Sequence, residues 1–164
     1  TTGTFPLPEA QLDRFDIKLS LGFPSEEEEM QIINRHLSGN PLTELSPVCQ
    51  LEDIKTLQKQ AEAIYIHDDI KKYVLQIIQA TRHHEQIALG INPRGMLSLL
   101  RLAQAYALLN NRSYVIPEDI KYLVKPCLAH RLLSLNGAGG YTYALSLLDR
   151  IMSTIPVPTE EFKK

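Results

Sequence analysis

The stretch from Pro93 to Asn110 constrains the fold of this chain more than any other. Met96, Leu97, Leu99, Leu100, Leu102, Ala103, Ala105, Tyr106, Ala107, Leu108 and Leu109 leave it almost no polar face. A helix that is apolar nearly all round has to be surrounded, so this one is expected at the centre of a helical bundle. Asn92 suits the N-cap and Pro93 the first helical position, which places the start of the helix. A second helix, capped by Asp68 or Asp69, carries Ile70, Tyr73, Val74, Ile77 and Ile78. That i, i+3, i+4, i+7, i+8 pattern lays one face on a core.

Further helices are read around these two. Pro8 with Glu9 and Asp13 predicts a short helical turn. Ser25 and Glu28 have the spacing of a capping box for a helix running to Ser38, with Met30, Ile33 and Leu37 as its apolar stripe. Its four glutamates, 26–29, read as a solvated first turn at the positive end of the helix dipole rather than as a metal site. Leu51–Ala63 is helical. Pro117, with Glu118 and Asp119, starts another helix, which Pro126 should split or kink because it lacks a donor. Asn136 to Gly140 reads as a flexible loop, Tyr141 to Thr154 as the last helix, and the residues from Pro156 as an extended tail.

Strand signals are few. Phe15, Ile17, Leu19 and Leu21 alternate strictly with polar residues, the mark of a strand with one buried face. Ile64-Tyr65-Ile66 and Tyr114-Val115 are two short β-prone pieces. A lone strand at 15–21 can neither pair its backbone nor cover its apolar side, so the rest of a sheet is expected upstream. The opening Thr1-Thr2-Gly3-Thr4, with no Met, likewise reads as the interior of a longer polypeptide.

Composition narrows the function classes. The 164 residues are 44% apolar and 22% charged, which excludes a disordered or collagen-like chain. No run of about 18 apolar residues is present, so no membrane-spanning helix is expected. A net charge of −2 argues against a dedicated nucleic-acid binder. Two cysteines, Cys49 and Cys127, allow one disulfide at most, and a reducing compartment fits them better. No leader for export opens the sequence, and a cytoplasmic protein is expected.

Residues that carry chemistry are sparse. Gly137 to Gly140 lacks the Lys-Ser/Thr of a phosphate loop. His83 and His84 are neighbours, about 100° apart on a helix, and cannot share a metal well. Two arginines stand out by position. Arg14 ends the first helical turn, where the chain enters the alternating stretch, and can project from the rim of a sheet. Arg94 sits in the first turn of the central helix, where free N–H groups, the helix dipole and a guanidinium together make an anion-binding corner. A cation at that end is unfavourable by about 0.3–1 kcal/mol unless an anion is near. The plainer reading is that each arginine pairs with a surface carboxylate.

The order of motifs resembles the MoxR family of AAA+ ATPases over most of the chain. Gly3-Thr4-Phe5-Pro6-Leu7-Pro8-Glu9-Ala10-Gln11-Leu12-Asp13-Arg14-Phe15 resembles the segment that follows the family's sensor-1 motif. Asn92-Pro93-Arg94-Gly95 with Leu99-Leu100-Arg101 resembles its sensor-2 helix, with Asn92 in place of the usual Ser. Tyr114-Val115-Ile116-Pro117-Glu118-Asp119-Ile120 and Leu128-Ala129-His130-Arg131-Leu132 resemble the two motifs after it, and Val157-Pro158 the closing one. Ile116 stands where the family usually has a capping Thr, so that helix start would rest on Pro117 and the acidic pair.

The resemblance implies a mainly α fold: an AAA+ lid bundle with small short strands, preceded by one orphan strand from an αβα ATPase core. Residues 1–24 would be the end of that core, 25–155 the lid and 156–164 a tail, with 64–66 and 114–115 as the lid's small strand pair. Arg14 would be the arginine finger, reaching the γ-phosphate bound by a neighbouring subunit, and Arg94 the sensor-2 arginine on the phosphates, in cis or in trans. The parent would bind ATP and Mg²⁺, hydrolyse ATP in a homo-oligomeric ring and remodel or activate partner proteins, von Willebrand A-domain proteins among them. The phosphate loop and the acidic motif would precede Thr1, so this stretch alone is expected to hold no cofactor and to be inactive. Two other readings stay open: a stand-alone all-α interaction or DNA-binding module, and a hydrolase built on His67, His83 or His130, for which no triad is visible.

Overall fold

The computed structural model describes residues 7–135, 140–159 and 162, all but the Glu9 side chain. The glycine-rich stretch 136–139, most of the segment read above as a flexible loop, lies outside the described residues. Two compact units emerge, one made of residues 1–18 with 58–164, the other of residues 19–57.

The larger unit is a helical bundle. α1 (Glu9–Leu12) is the expected short turn. α4 (Asp68–Arg82) buries Ile70, Tyr73, Val74, Ile77 and Ile78, the full predicted stripe. Its cap differs by one residue: His67, not Asp68 or Asp69, accepts from the Asp69 N–H through Nδ1 at 3.2 Å. α5 (Pro93–Leu109) begins as expected, with Asn92 Oδ1 accepting from Gly95 N at 2.9 Å. It buries a narrower face than its composition suggests, Leu99, Ala103 and Ala107 among it, while Leu97 and Leu109 stay exposed. α6 (Pro117–Leu128) packs along α5, and α7 (Gly140–Thr154) closes the core with Ala144 and Leu148.

α6 passes through Pro126 without splitting there and ends two residues later, followed by a 3₁₀ turn, Ala129–Arg131. Only one helical bond is lost, the one residue 126 would give to the carbonyl of Tyr122, and the helix ends within the turn. Two carbonyls of that turn have partners from outside the helix: Pro126 O accepts from Lys18 N at 2.8 Å, and Cys127 O from Arg131 Nε at 3.1 Å. The start of α6 rests on the acidic residue, as the replacement at Ile116 implied. Asp119 Oδ2 accepts from Ile116 N at 2.9 Å.

The small strand pair forms as an isolated parallel bridge between Tyr65 and Tyr114, with Tyr65 N donating to Ser113 O and Val115 N to Tyr65 O, both at 3.0 Å. A second pairing had no sequence signal. β1 (Ile87–Leu89) runs antiparallel to β2 (Leu133–Ser134). Gly90, just after β1, approaches Arg82 so closely that a β-carbon there would lie 2.7 Å from Arg82 Cα.

The strand expected over Phe15–Leu21 is not formed. These residues run without regular structure and without a ladder partner among the described residues, and Phe15, Ile17, Leu19 and Leu21 are all exposed. Alternation marks a face that could be buried, but a strand exists only where a neighbour pairs with it. Part of the backbone is satisfied otherwise, by the side chains of His130 and Arg131 on Phe15 O.

The smaller unit holds α2 (Glu26–Leu37), a 3₁₀ turn (Pro41–Glu44) capped by Asn40, and the first residues of α3 (Leu51–Glu62). The capping box at α2 is complete: Glu28 N donates to Ser25 Oγ, and Ser25 N to Glu28 Oε2 at 2.8 Å. The predicted stripe of Met30, Ile33 and Leu37 is present in sequence but exposed. Cys49 in this unit is exposed, Cys127 in α6 is buried, and both are free thiols.

Candidate functional site

Arg94 stands in the first turn of α5 because Asn92 and Pro93 fix where that helix begins. Its side chain is 58% exposed, and Nη1 lies 4.0 Å from Asp13 Oδ2. At that distance and exposure the ion pair is weak, so the guanidinium remains available to a stronger anion. Arg14 follows Asp13 directly. It is exposed, and no hydrogen bond or ion pair of its guanidinium is found among the described residues. The two arginines, eighty residues apart in the chain, line one cleft of about 870 Å³ together with Asn92, Pro93, His130 and Arg131.

Asp13 is the link between the two sides of this cleft. Its Oδ2 accepts from Asn92 Nδ2 at 2.9 Å, and its Oδ1 from Arg131 Nη1 at the same distance. Asn92 therefore uses its amide oxygen to cap α5 and its amide nitrogen to hold the segment that carries Arg14. One turn further along α5, Ser98 Oγ donates to Asp16 Oδ1 at 2.8 Å. Residues 13–16 are tied to the start of α5 at both ends.

Arg131 makes the densest set of contacts. Its side chain is 2% exposed, which is rare for an arginine without partners. Nη1 donates to Asp13 O at 2.8 Å as well as to the carboxylate, Nη2 donates to Phe15 O at 2.9 Å, and Nε to Cys127 O. Beside it, His130 Nε2 lies 2.8 Å from Phe15 O. Burial, with the charges of Arg131 and Lys18 adding, holds the His130 imidazole below its ordinary pKa; as a carbonyl only accepts, Nε2 is the donor to Phe15 O.

Arg131 and Asp13 escaped sequence reasoning as site residues. The usable signal was an arginine between Ala129 and Leu132 in an apolar stretch, a position where burial demands paired donors. The histidines proposed for a hydrolase do not come together: His67 caps the start of α4, His83 its end, and His130 holds Phe15 O. No cluster of three metal-ligating side chains occurs among the described residues.

Comparison with known proteins bears on this arrangement. Residues 79–141 match the AAA lid domain family, a span that includes Arg94, His130 and Arg131. The chain is 42% identical over 160 residues to the YeaC protein of Bacillus subtilis, covering 96% of this chain and 50% of that one. It is 33% identical over 166 residues to the chaperone MoxR1 of Mycobacterium tuberculosis, covering 95% of this chain and 44% of that protein. The chain is thus similar over nearly its whole length to MoxR proteins, a family of AAA+ ATPases. It spans about half the length of the curated relatives it matches. A solved structure of a protein from Cytophaga hutchinsonii, assigned as an ATPase, superposes with a TM-score of 0.84 at 28% identity, covering 96% of this chain and 51% of that one. The MoxR lid, a helical bundle with few and short strands, is thus the architecture seen here, and the sequence resemblance to the family holds.

Proposed function

We propose that this chain is the lid-bearing part of a MoxR-type ATPase that binds and hydrolyses ATP in a homo-oligomeric ring and remodels or activates partner proteins. On this reading residues 1–24 end the ATPase core, residues 25–155 form the lid and residues 156–164 are a tail. Von Willebrand A-domain proteins are the partner class the family resemblance suggests, and the cytoplasm is the compartment that supplies ATP. The observation that carries the proposal is the convergence of Arg14 and Arg94 on one cleft, at the start of a helix whose N–H groups and dipole favour an anion.

The residues present fit the phosphate end of a nucleotide. Two guanidinium groups face one space, one free of partners among the described residues and the other only loosely paired. Guanidinium forks match phosphate oxygens and stabilise the charge that grows as the γ-phosphoryl group is transferred. Arg14 serves as the arginine finger and Arg94 as the sensor-2 arginine. Their shared cleft favours both acting on the same nucleotide, which for a finger is the one held by the neighbouring subunit. Residues to hold Mg²⁺ or to cradle the triphosphate are not part of this set, so the 164 residues alone do not turn over ATP.

The test is steady-state ATP turnover by the full-length protein with Arg14→Ala and Arg94→Ala made singly. Loss of an arginine finger lowers kcat about 10³-fold or more. Turnover at the wild-type rate in both variants would falsify the assignment.

A further inference from the structure

Among the described residues the cleft holds one guanidinium without a partner, that of Arg14, one loosely paired, that of Arg94, and one fully committed, that of Arg131. Burying an arginine costs several kcal/mol of desolvation, and a space that only needed filling is filled as well or better by an apolar side chain. Besides the Asp13 carboxylate and Ser98 Oγ, Arg131 donates to main-chain groups: the carbonyls of Asp13 and Phe15, the residues that flank Arg14, and the carbonyl of Cys127 at the end of α6. The planar fork admits few geometries that satisfy all of these at once. Arg131 thus holds the peptide before Arg14 and the one after Phe15, while Arg14 N and Phe15 N donate to Gln11 O and Leu12 O. The backbone around Arg14 is fixed, whereas the Arg14 side chain has no bond among the described residues. A pinned backbone beneath a free guanidinium is what a side chain needs if it must reach a group outside its own chain without paying for disorder on arrival.

The same fork ties this segment to the second arginine. Asp13 receives Arg131 on one oxygen and Asn92 on the other, and Asn92 sets the start of the helix that carries Arg94. Asp13, the chain neighbour of Arg14, thus links it directly to Asn92 and the start of α5, and Arg131 holds the same carboxylate by its other oxygen.

We propose that Arg131 is a positioning residue of the ATPase, holding the carbonyls on either side of Arg14 so that its guanidinium meets the phosphate at a fixed station relative to Arg94. This rests on the reading of Arg14 as the finger. Arg131 itself touches no nucleotide; it acts through Arg14.

The full-length protein tests this with Arg131→Lys, Arg14→Ala and the double variant, each followed by kcat, the KM for ATP and the thermal unfolding midpoint. Lysine keeps the charge but loses the fork. Arg131→Lys should lower kcat about 10- to 100-fold, the range for a misplaced reacting group, with the KM for ATP within about twofold of wild type. In the Arg14→Ala background it should lower kcat no further, because the residue it positions is gone. A merely structural role predicts additive losses that follow the fall in unfolding midpoint, and that result overturns the proposal. So does a raised KM with kcat unchanged. Should Arg131→Lys fail to fold, Asp13→Asn takes its place. It leaves the bonds to the main chain intact, weakens one arm of the fork, and should give a smaller kcat loss of the same non-additive kind. Wild-type turnover in Arg14→Ala strikes at the finger assignment itself. A crippled Arg14→Ala beside a fully active Arg131→Lys strikes at the positioning role alone.

Discussion

A β-carbon on Gly95 would stand 3.1 Å from Cδ of Arg131 and 2.8 Å from Cγ2 of Ile91. Neither neighbour can yield easily, since Ile91 is buried and the Arg131 side chain is held along its length by hydrogen bonds. Gly95 is the residue that lets Arg131 pass beneath the first turn of α5.

Gly95→Ala should therefore destabilise the protein although alanine is the better helix former. Overpacking costs about 1–3 kcal/mol, against about 1 kcal/mol gained in helix propensity. A net loss of up to about 2 kcal/mol is expected in urea denaturation, and an unchanged or raised midpoint would show that the contact relaxes freely.

Asp119 is 2% exposed and serves two donors, the Arg112 guanidinium and the Ile116 N–H at the start of α6. Asp119→Ala leaves both without their acceptor. Breaking a buried pair in this way costs about 3 kcal/mol or more. Arg112→Met, which leaves the more deeply buried carboxylate without its counter-ion and with only the bond from Ile116, should cost at least as much in the same denaturation experiment.

The two thiols should react at very different rates. Burial pushes the Cys127 thiol up to about 12, so it stays protonated and shielded at neutral pH, whereas Cys49 is exposed. Titration of the native protein with a thiol reagent should find Cys49 alone, and Cys127 should join it only on addition of denaturant. Rapid labelling of Cys127 in the native state would mean that the end of α6 opens readily.

Stability should fall in mildly acidic solution through His130. Its folded pKa lies below the ordinary value of 6.5, chiefly because of burial. The unfolded chain then binds a proton that the folded chain resists. The stabilisation is complete above about pH 6.5 and is lost as the pH falls from there through the lower folded value. His130→Gln keeps a nitrogen donor for Phe15 O but cannot titrate. Between about pH 7 and pH 5 its unfolding free energy should change less steeply than that of the wild type, and parallel slopes would exclude His130 as the source.

Much of the bundle could be read from local pattern, and the rest fails for identifiable reasons. The stripe on α4 was legible because its five apolar residues complete a helical face, and the start of α5 because Asn92 and Pro93 are both specific for that place. The cap of α4 was misplaced by one residue because an imidazole Nδ1 accepts a hydrogen bond as a carboxylate does, and Asp68 and Asp69 offered the commoner choice. β1 and β2 have three and two residues, too few to show alternation. The alternation at 15–21 was real, but it reports only what such a segment could bury. Within the site, Arg14 and Arg94 stood out by position, and the roles expected of them came from resemblance to a family. The bonds of Arg131 to Asp13 span 118 positions, a distance over which local sequence carries no signal.

The last turn of α6 has a mechanical consequence. Its carbonyls have run out of helical partners, and those of Pro126 and Cys127 are bonded to Lys18 and Arg131, on or against the stretch that bears Arg14. Tension applied to residues 13–18 is therefore delivered straight into a helix end instead of dissipating in slack chain. That stretch and the end of α6 thus share the same anchor points.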